Sequence, residues 1–474
     1  MQDDQPTHPL SRRQMLKYLG AGGAALTAAP ILSACGSSTK STSGGSPKST
    51  SPGTTGSSSG VPGAGTVADI ATYIGPINPK YAGKGLSYTI GSVLALTGAG
   101  DFYGKVMSRG VNLATKHIAA LGGPNFQVVF KDHKSGNAAA GVQAVTELGD
   151  AGIPVMLASY ADDLGAMLPG NEQYKMLSLD GGGGTALAFN GKPYFWGMRA
   201  NTPTDPFPGV MKYIKQMMPS VKTVTIVPWN LGSALNTAIE GDWKTQLQAV
   251  GLTPGQIVYV TDGETDFSSP LQQLKTAPGD LVMLSNYGLD PGYFIKQYVT
   301  SGINKPLIGF EFTPDAAKLA ASAYDNYTYA FDYFDTATPP NPWSKIFLNE
   351  WIKTYGSLES SDFDFYAANY YEDTFAVWDL IRRVLENGGN VKSGTDLQSA
   401  LEANPSFKSV YGVSDTTAGT LTLSLTTHTP VSRPMGIFQY NASTKASKLM
   451  ALFNEQGADY SAQSGAGPIP VPGS

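Results

Sequence analysis

Residues 88–121 read YTIGSVLALTGAGDFYGKVMSRGVNLATKHIAAL. Tyr88–Leu96 is apolar and rich in strand formers. A glycine-bearing turn follows, and then Val106, Gly110, Leu113, Ala114, His117, Ile118 and Leu121 recur at helical spacing over Tyr103–Leu121. This strand–turn–helix unit repeats outward from there. Strands are expected at Gln127–His133, Pro154–Ser159 and Lys175–Asp180. Helices are expected near Ala138–Leu148 and from Asp162. After Arg199 the cycle resumes with a helix that Asp205 is placed to cap. Strands at Thr223–Trp229, Gln256–Thr261, Asp280–Tyr287 and Pro306–Glu311 alternate with helices at Ser233–Val250, Ser268–Lys275 and Pro291–Ser301. Such alternation implies α/β architecture, with mostly parallel sheets covered by helices on both faces.

Two α/β blocks of one kind, roughly 86–200 and 203–330, predict two lobes with a cleft between them. Beyond Tyr327–Phe334 the pattern turns helical (Pro342–Tyr355, Phe365–Glu386, Asp396–Ala403). It closes with the strand-like runs Thr420–Thr426, Met435–Tyr440 and Lys448–Phe453. Open parallel sheets bind ligands beyond the carboxyl ends of their strands. That singles out the loops 96–103, 159–163, 180–186, 229–233, 286–291 and 311–314.

Composition narrows the chemistry. Charged residues make up 15% of the 474, net charge is −5 and no basic patch is present, which argues against nucleic acid as a partner. Four histidines and one cysteine argue against zinc or copper chemistry, so no metal or cofactor is expected. Gly-x-Ser-x-Gly, His-Glu-x-x-His and Walker motifs are absent from the sequence. His117 and His133 fall on predicted helix or strand positions and read as structural. The run Gly98–Gly104 before a helix, with Asp132 at the next strand end, has a dinucleotide-binding flavour, but its glycine spacing is wrong and Asp101 would face a pyrophosphate. A secreted dehydrogenase is therefore the remote alternative, and no catalytic residue is assigned.

The N-terminus reads as an address. Ser11-Arg12-Arg13-Gln14-Met15-Leu16-Lys17 resembles a twin-arginine export motif, with the general secretory route as the alternative. Tyr18–Ala34 is too short and too mild for a transmembrane helix and fits a signal peptide over 1–34. Leu32-Ser33-Ala34-Cys35 resembles a bacterial lipoprotein signal, in which lipid joins the thiol of Cys35, the sole cysteine. The lipidated N-terminus and linker, 35–66, are Ser-, Thr-, Gly- and Pro-rich and are expected to be disordered, with a reach of roughly 30 Å for about 30 residues. The expected location is extracytoplasmic, lipid-anchored to the cell membrane.

Several stretches taken in order carry a family resemblance. They are Ser92-Val93-Leu94-Ala95-Leu96-Thr97-Gly98, Tyr103-Gly104, and Gly110 through Leu113-Ala114 to Ile118-Ala119-Ala120-Leu121-Gly122-Gly123. Asp132, the Asn137–Leu148 helix, Met198-Arg199, Gly309-Phe310-Glu311 and the aromatic-rich helix Tyr366–Val384 continue the series. Over residues 86–455 the chain resembles the leucine/isoleucine/valine-type, type I periplasmic binding proteins of ABC importers. The resemblance implies two lobes, 86–202 with 335–430 and 203–334 with 431–455. It also implies three crossovers near 200–204, 330–336 and 428–434, and leaves 456–474 as a flexible tail. It implies a monomer that captures an amino acid or related small solute and delivers it to an ABC permease, with a tethered ligand sensor of the same fold as the alternative.

By the same resemblance, first-lobe loops hold the solute's carboxylate and a second-lobe acid, Glu311, holds its ammonium. Tyr103 and Tyr287 match cleft tyrosines. The departures concern the ligand. Ser159-Tyr160-Ala161 stands where the family often has a Ser-Ser pair, with Asp162 and Asp163 next. The loop Asp180–Thr185 offers Gly182 for close backbone approach and Thr185 for a hydroxyl. Trp229 is placed to stack on an apolar or cationic ligand, and Leu231 replaces an expected tyrosine. A branched-chain amino acid gives way to an amino acid or related small solute, with a polyamine-like, amide or aromatic solute among the alternatives.

Overall fold

The computed structural model describes residue 61 and residues 63–474, apart from 99, 161–163, 185–188, 190, 200–204, 335, 337–338, 359–361, 413–418 and 455–456. Cys35, the signal peptide and most of the linker lie outside the described residues, as does Thr185.

The opening stretch folds as its periodicity predicts. Strand β1 (Ser87–Leu94) leads into helix α1 (Asp101–Ala120), then β2 (Asn125–Asp132), α2 (Ala138–Asp150), β3 (Val155–Ala158), α3 (Leu168–Tyr174), β4 (Leu177–Asp180) and β5 (Phe195–Gly197). The five strands form one sheet in the order β2-β1-β3-β4-β5, every pair parallel. Asn137 caps α2 by accepting the Ala140 N–H.

The second sheet grows from β6 (Thr223–Pro228), β7 (Thr253–Ile257), β8 (Leu281–Ser285), β9 (Leu307–Gly309) and β10 (Thr328–Asp332). These strands are parallel. They alternate with α4 (Phe207–Met217), α5 (Ser233–Ala249), α6 (Ser268–Thr276), α7 (Asp290–Thr300) and α8 (Pro314–Ala320). The long helices α9 (Pro342–Tyr355), α10 (Phe365–Glu386) and α11 (Gly394–Ala403) follow. Helix α10 lies on α1. Gly110 makes this close approach feasible, since a Cβ there would meet the Ala367 carbonyl oxygen at 2.3 Å. A three-stranded sheet, β11 (Ser406–Ser409), β12 (Gly419–Leu423) and β13 (Pro430–Ser432), packs beside the first sheet, where His428 stacks on Trp196 at 3.8 Å. The chain then re-enters the second sheet through β14 (Met435–Asn441), β15 (Ala446–Phe453) and β16 (Ser461–Ala462), all antiparallel additions.

The chain therefore passes between the sheets after β5, after β10 and between β13 and β14. A buried ion cluster ties these passages together. Asp332, at the end of β10, accepts from Arg199 Nε at 2.6 Å and from Arg433 Nε at 2.9 Å, and Arg433 Nη1 reaches Glu372 Oε1 of α10 at 2.9 Å. None of the four side chains is more than 4% exposed.

Three details depart from the sequence-based expectations. Helix α4 begins at Phe207 with Pro206 in the cap position, not at Asp205. Strand β7 lies at 253–257 rather than 256–261, and only a single bridge, Trp229 to Val260, continues the pairing. The tail 456–474, expected to be flexible, is packed. β16 pairs with β15, Ile469 is 3% exposed, and the Leu307 and Gly473 amides donate to Pro470 and Asp325 carbonyls. Burial of Ile469 and the closing backbone bonds offset the entropy of ordering a polar, glycine-rich end. No helix among the described residues is long and apolar enough to cross a membrane.

Candidate functional site

Both parallel sheets present the carboxyl ends of their strands to one cavity of about 380 Å³, within the size range of small-molecule sites. Gly100 and Tyr103 reach it from beyond β1, Tyr160 from beyond β3 and Gly182 from beyond β4. Trp229 lines it from beyond β6, Tyr287 to Asp290 from beyond β8 and Glu311 from beyond β9. All six loops chosen from the sequence contribute through these residues. Of the predicted site residues, Tyr103, Tyr160, Gly182, Trp229, Tyr287 and Glu311 line the cavity; Thr185 and Cys35 lie outside the described residues.

Ser159 is not in the lining. Its hydroxyl is turned inward between His133 and Val93. His133 Nδ1 accepts the Gly136 N–H at 2.9 Å, which leaves Nε2 to carry the proton of the neutral ring and donate it to Ser159 Oγ at 2.9 Å. Burial lowers His133 to about 4 and keeps it neutral. Ser159 in turn donates to the Val93 carbonyl at 3.2 Å. The residue after it, Tyr160, reaches the cavity with a left-handed φ of 59°. For a bulky side chain that backbone costs on the order of 1 kcal/mol, and the His133 ring 4.9 Å away helps hold it.

The centre of the site is a contact between the two lobes. Glu311 is 3% exposed. Its Oε1 lies 3.3 Å from the Tyr103 hydroxyl across the cleft, and its Oε2 accepts the Gly288 N–H at 2.8 Å. Burial pushes the Glu311 carboxyl up to about 7; the Gly288 amide and the Arg199 charge oppose that rise and Asp290 adds to it. Asp290 Oδ2 accepts Trp229 Nε1 at 2.8 Å and the Gly263 N–H at 3.0 Å. Burial raises Asp290 to about 6. The Trp229 and Tyr287 rings meet edge to face at 5.1 Å, and the Tyr287 and Ser285 hydroxyls are 3.0 Å apart.

Several lining residues carried no signal in the sequence. Tyr366 enters from α10 and packs edge to face on Tyr103 at 5.3 Å. Ile239 and Trp243 come from α5 and form an apolar floor. Arg199 enters the sequence reading only through the Met198-Arg199 pair of the family resemblance. Its Nη1 donates to the Gly182 carbonyl at 3.1 Å and to the Tyr366 hydroxyl at 3.0 Å. Asp290 and Asp262 could have been suspected, since both lie near strand ends that face the cleft. Among the described residues no group of three or more His, Cys, Asp or Glu is arranged to hold a metal ion.

A two-lobed α/β protein with a buried polar contact at the mouth of both sheets defines a ligand-binding class in which closure traps the solute. The sequence profile of the periplasmic binding protein family matches residues 87–446, and the chain belongs to that family. Comparison with curated proteins gave no match. Similar solved structures include the branched-chain amino acid transporter substrate-binding protein LivJ from Streptococcus pneumoniae in complex with isoleucine (18% identity, 77% of this chain and 99% of that one, TM-score 0.63). An ABC-transporter solute-binding protein from R. palustris in complex with 4-hydroxybenzoate is similar at 17% identity over 78% and 98%, TM-score 0.64. An amino acid ABC transporter substrate-binding protein from Pseudomonas fluorescens is similar at 15% identity over 78% and 96%, TM-score 0.65. At these identities the likeness is one of fold.

Proposed function

We propose that this chain is an extracytoplasmic solute-binding protein that captures an amino acid or related small solute between its lobes and delivers it to an ABC permease. The observation that carries the reading is the Tyr103–Glu311 contact, which joins the lobes at a cavity fed by the strand ends of both sheets. Solved relatives of this fold hold isoleucine and 4-hydroxybenzoate, so the scaffold accommodates both amino acids and aromatic solutes. The lobes comprise 86–202 with 335–430 and 203–334 with 431–455, and ligand contacts available only on closure shift the protein toward the closed state. A thermal-shift screen of the purified protein against amino acids, amides, amines and aromatic acids tests this. A ligand at 100 times its Kd should stabilise by about 2.7 kcal/mol, and a flat response across the whole panel would remove the function.

The anchor belongs to the same proposal. The Leu32-Ser33-Ala34-Cys35 sequence and the Ser/Thr/Gly/Pro leash after it support lipid attachment at Cys35. Cys35→Ser should move the protein from the membrane to the soluble fraction on fractionation; retention of the variant in the membrane would exclude Cys35 as the anchor.

A further inference from the structure

An amino acid presents an ammonium and a carboxylate, so a cleft that takes one needs acceptors for the first and unspent donors for the second. Four donors near the first-lobe wall, Ser159, Gly182, Gly183 and Gly100, are engaged within the protein. Ser159 donates to Val93. The Gly182 and Gly183 amides, which would cradle an anion, both donate to Asp180 Oδ1, at 2.7 and 3.0 Å. The cradle is filled by the protein's own carboxylate, and the left-handed φ of 86° at Gly183 serves that internal turn. The Gly100 amide donates to Ser135 Oγ, and Ser135 donates onward to the Thr97 carbonyl.

Charge points the same way. Among the described residues lining the cavity the acids are Asp262, Asp290 and Glu311, and the only cation is Arg199. Arg199 is already matched by Asp332 at 2.6 Å. Each carboxylate oxygen accepts more than one hydrogen bond, so Asp290 and Glu311 retain acceptor capacity beyond their bonds to Trp229, Gly263, Gly288 and Tyr103. Trp229 and Tyr287 stand beside these acids, and ring faces add attraction for a cation in a water-poor cleft. The floor is apolar.

We propose that the cleft selects an organic amine with an aromatic or apolar body and no carboxylate. The ammonium sits at Asp290 and Glu311 among the Trp229 and Tyr287 rings, and the body lies toward Ile239 and Trp243. This selectivity rests on the reading of the cleft as a solute site.

Three probes with one ring and different charges separate the possibilities by titration calorimetry on the full-length protein: 2-phenylethylamine, L-phenylalanine and 3-phenylpropionate. The amine should bind at least tenfold more tightly than the amino acid, and the acid should give no heat of binding. Asp290→Asn should weaken the amine at least fivefold. Binding of L-phenylalanine as tight as the amine, binding of 3-phenylpropionate, or silence from all three overturns the selectivity. A panel of other amino acids, amides and aromatic acids run in parallel tells the two failures apart. A hit there with the amine inert leaves solute capture standing and removes amine selectivity, whereas silence across both sets removes solute capture as well.

Discussion

Two groups of buried charge lie close together in this molecule and behave differently. At the crossovers, Arg199, Asp332, Arg433 and Glu372 form a line of pairs in which every ion meets an opposite one. In the cleft, Glu311 and Asp290 are nearly as buried, yet each is met only by neutral donors within hydrogen-bonding range. This series of paired charges is structural. It fixes the geometry of three strands of chain that must flex together, and each of its members is held by at least one ion pair. The cleft acids carry a desolvation cost with no ion pair of their own to offset it, and a bound cation would supply one.

The sharpest way to break this contrast is to remove the shared anion. Asp332→Ala leaves Arg199 and Arg433 buried without it and should cost about 3–5 kcal/mol in denaturant unfolding. A loss no larger than that of an exposed ion pair would mean the cluster is not structural.

The cleft acids predict a dependence on pH of the opposite kind to an ion pair. Burial raises Glu311 from 4.5 to about 7 and Asp290 from 3.8 to about 6, and Asp364, the buried N-cap of α10 outside the cavity lining, rises with them from 3.8 to about 7. The folded protein then binds more protons than the unfolded chain between these limits. The contribution of these groups is complete below about pH 4 and is lost as pH rises through the folded values. Around Glu311 stand Tyr103, Arg199 and Asp290, around Asp364 stand Glu311, Arg199 and Asp332, and around Asp290 stand Asp262 and Glu264. Glu311→Gln should therefore gain stability relative to the unmodified protein between pH 5 and pH 8, by an amount on the order of 3 kcal/mol. Parallel stability curves for the two proteins would show that Glu311 does not titrate in this window.

The smallest effect concerns affinity. Glu311→Gln should weaken an amine-bearing ligand by about 1.5–3 kcal/mol in calorimetry, the scale of a hydrogen bond to a charged group. Unchanged affinity would leave Tyr103 and Glu311 as a contact between lobes with no part in holding the solute.

How far the sequence could be read depends on where each signal originates. The β–α alternation from Tyr88 onward is local, because side-chain periods of two and 3.6 are written along the chain, and it announced the parallel sheets. Tyr103, Trp229, Tyr287 and Glu311 were legible for a related reason: each follows a strand, and in open parallel sheets that is where clefts form. Ser159 failed because its fate depends on His133, a residue 26 positions earlier that follows β2, two strands away across the sheet. The glycine cradle failed because Asp180 folds back to fill it. Tyr366 and Trp243 reach the cavity from helix faces that look like ordinary core positions in one dimension.

The sequence by itself determined the class of architecture and the strand-end loops that face the cleft. Tertiary structure alone decided which donors remain for a ligand and which are spent inside the protein. It also decided that Asp332 would be shared by two arginines 234 residues apart along the chain, since 433 − 199 = 234. The physical reason is range. Periodicity and strand ends are properties of neighbours in sequence, whereas hydrogen-bond satisfaction and charge pairing are settled by whichever groups folding brings within about 3 Å.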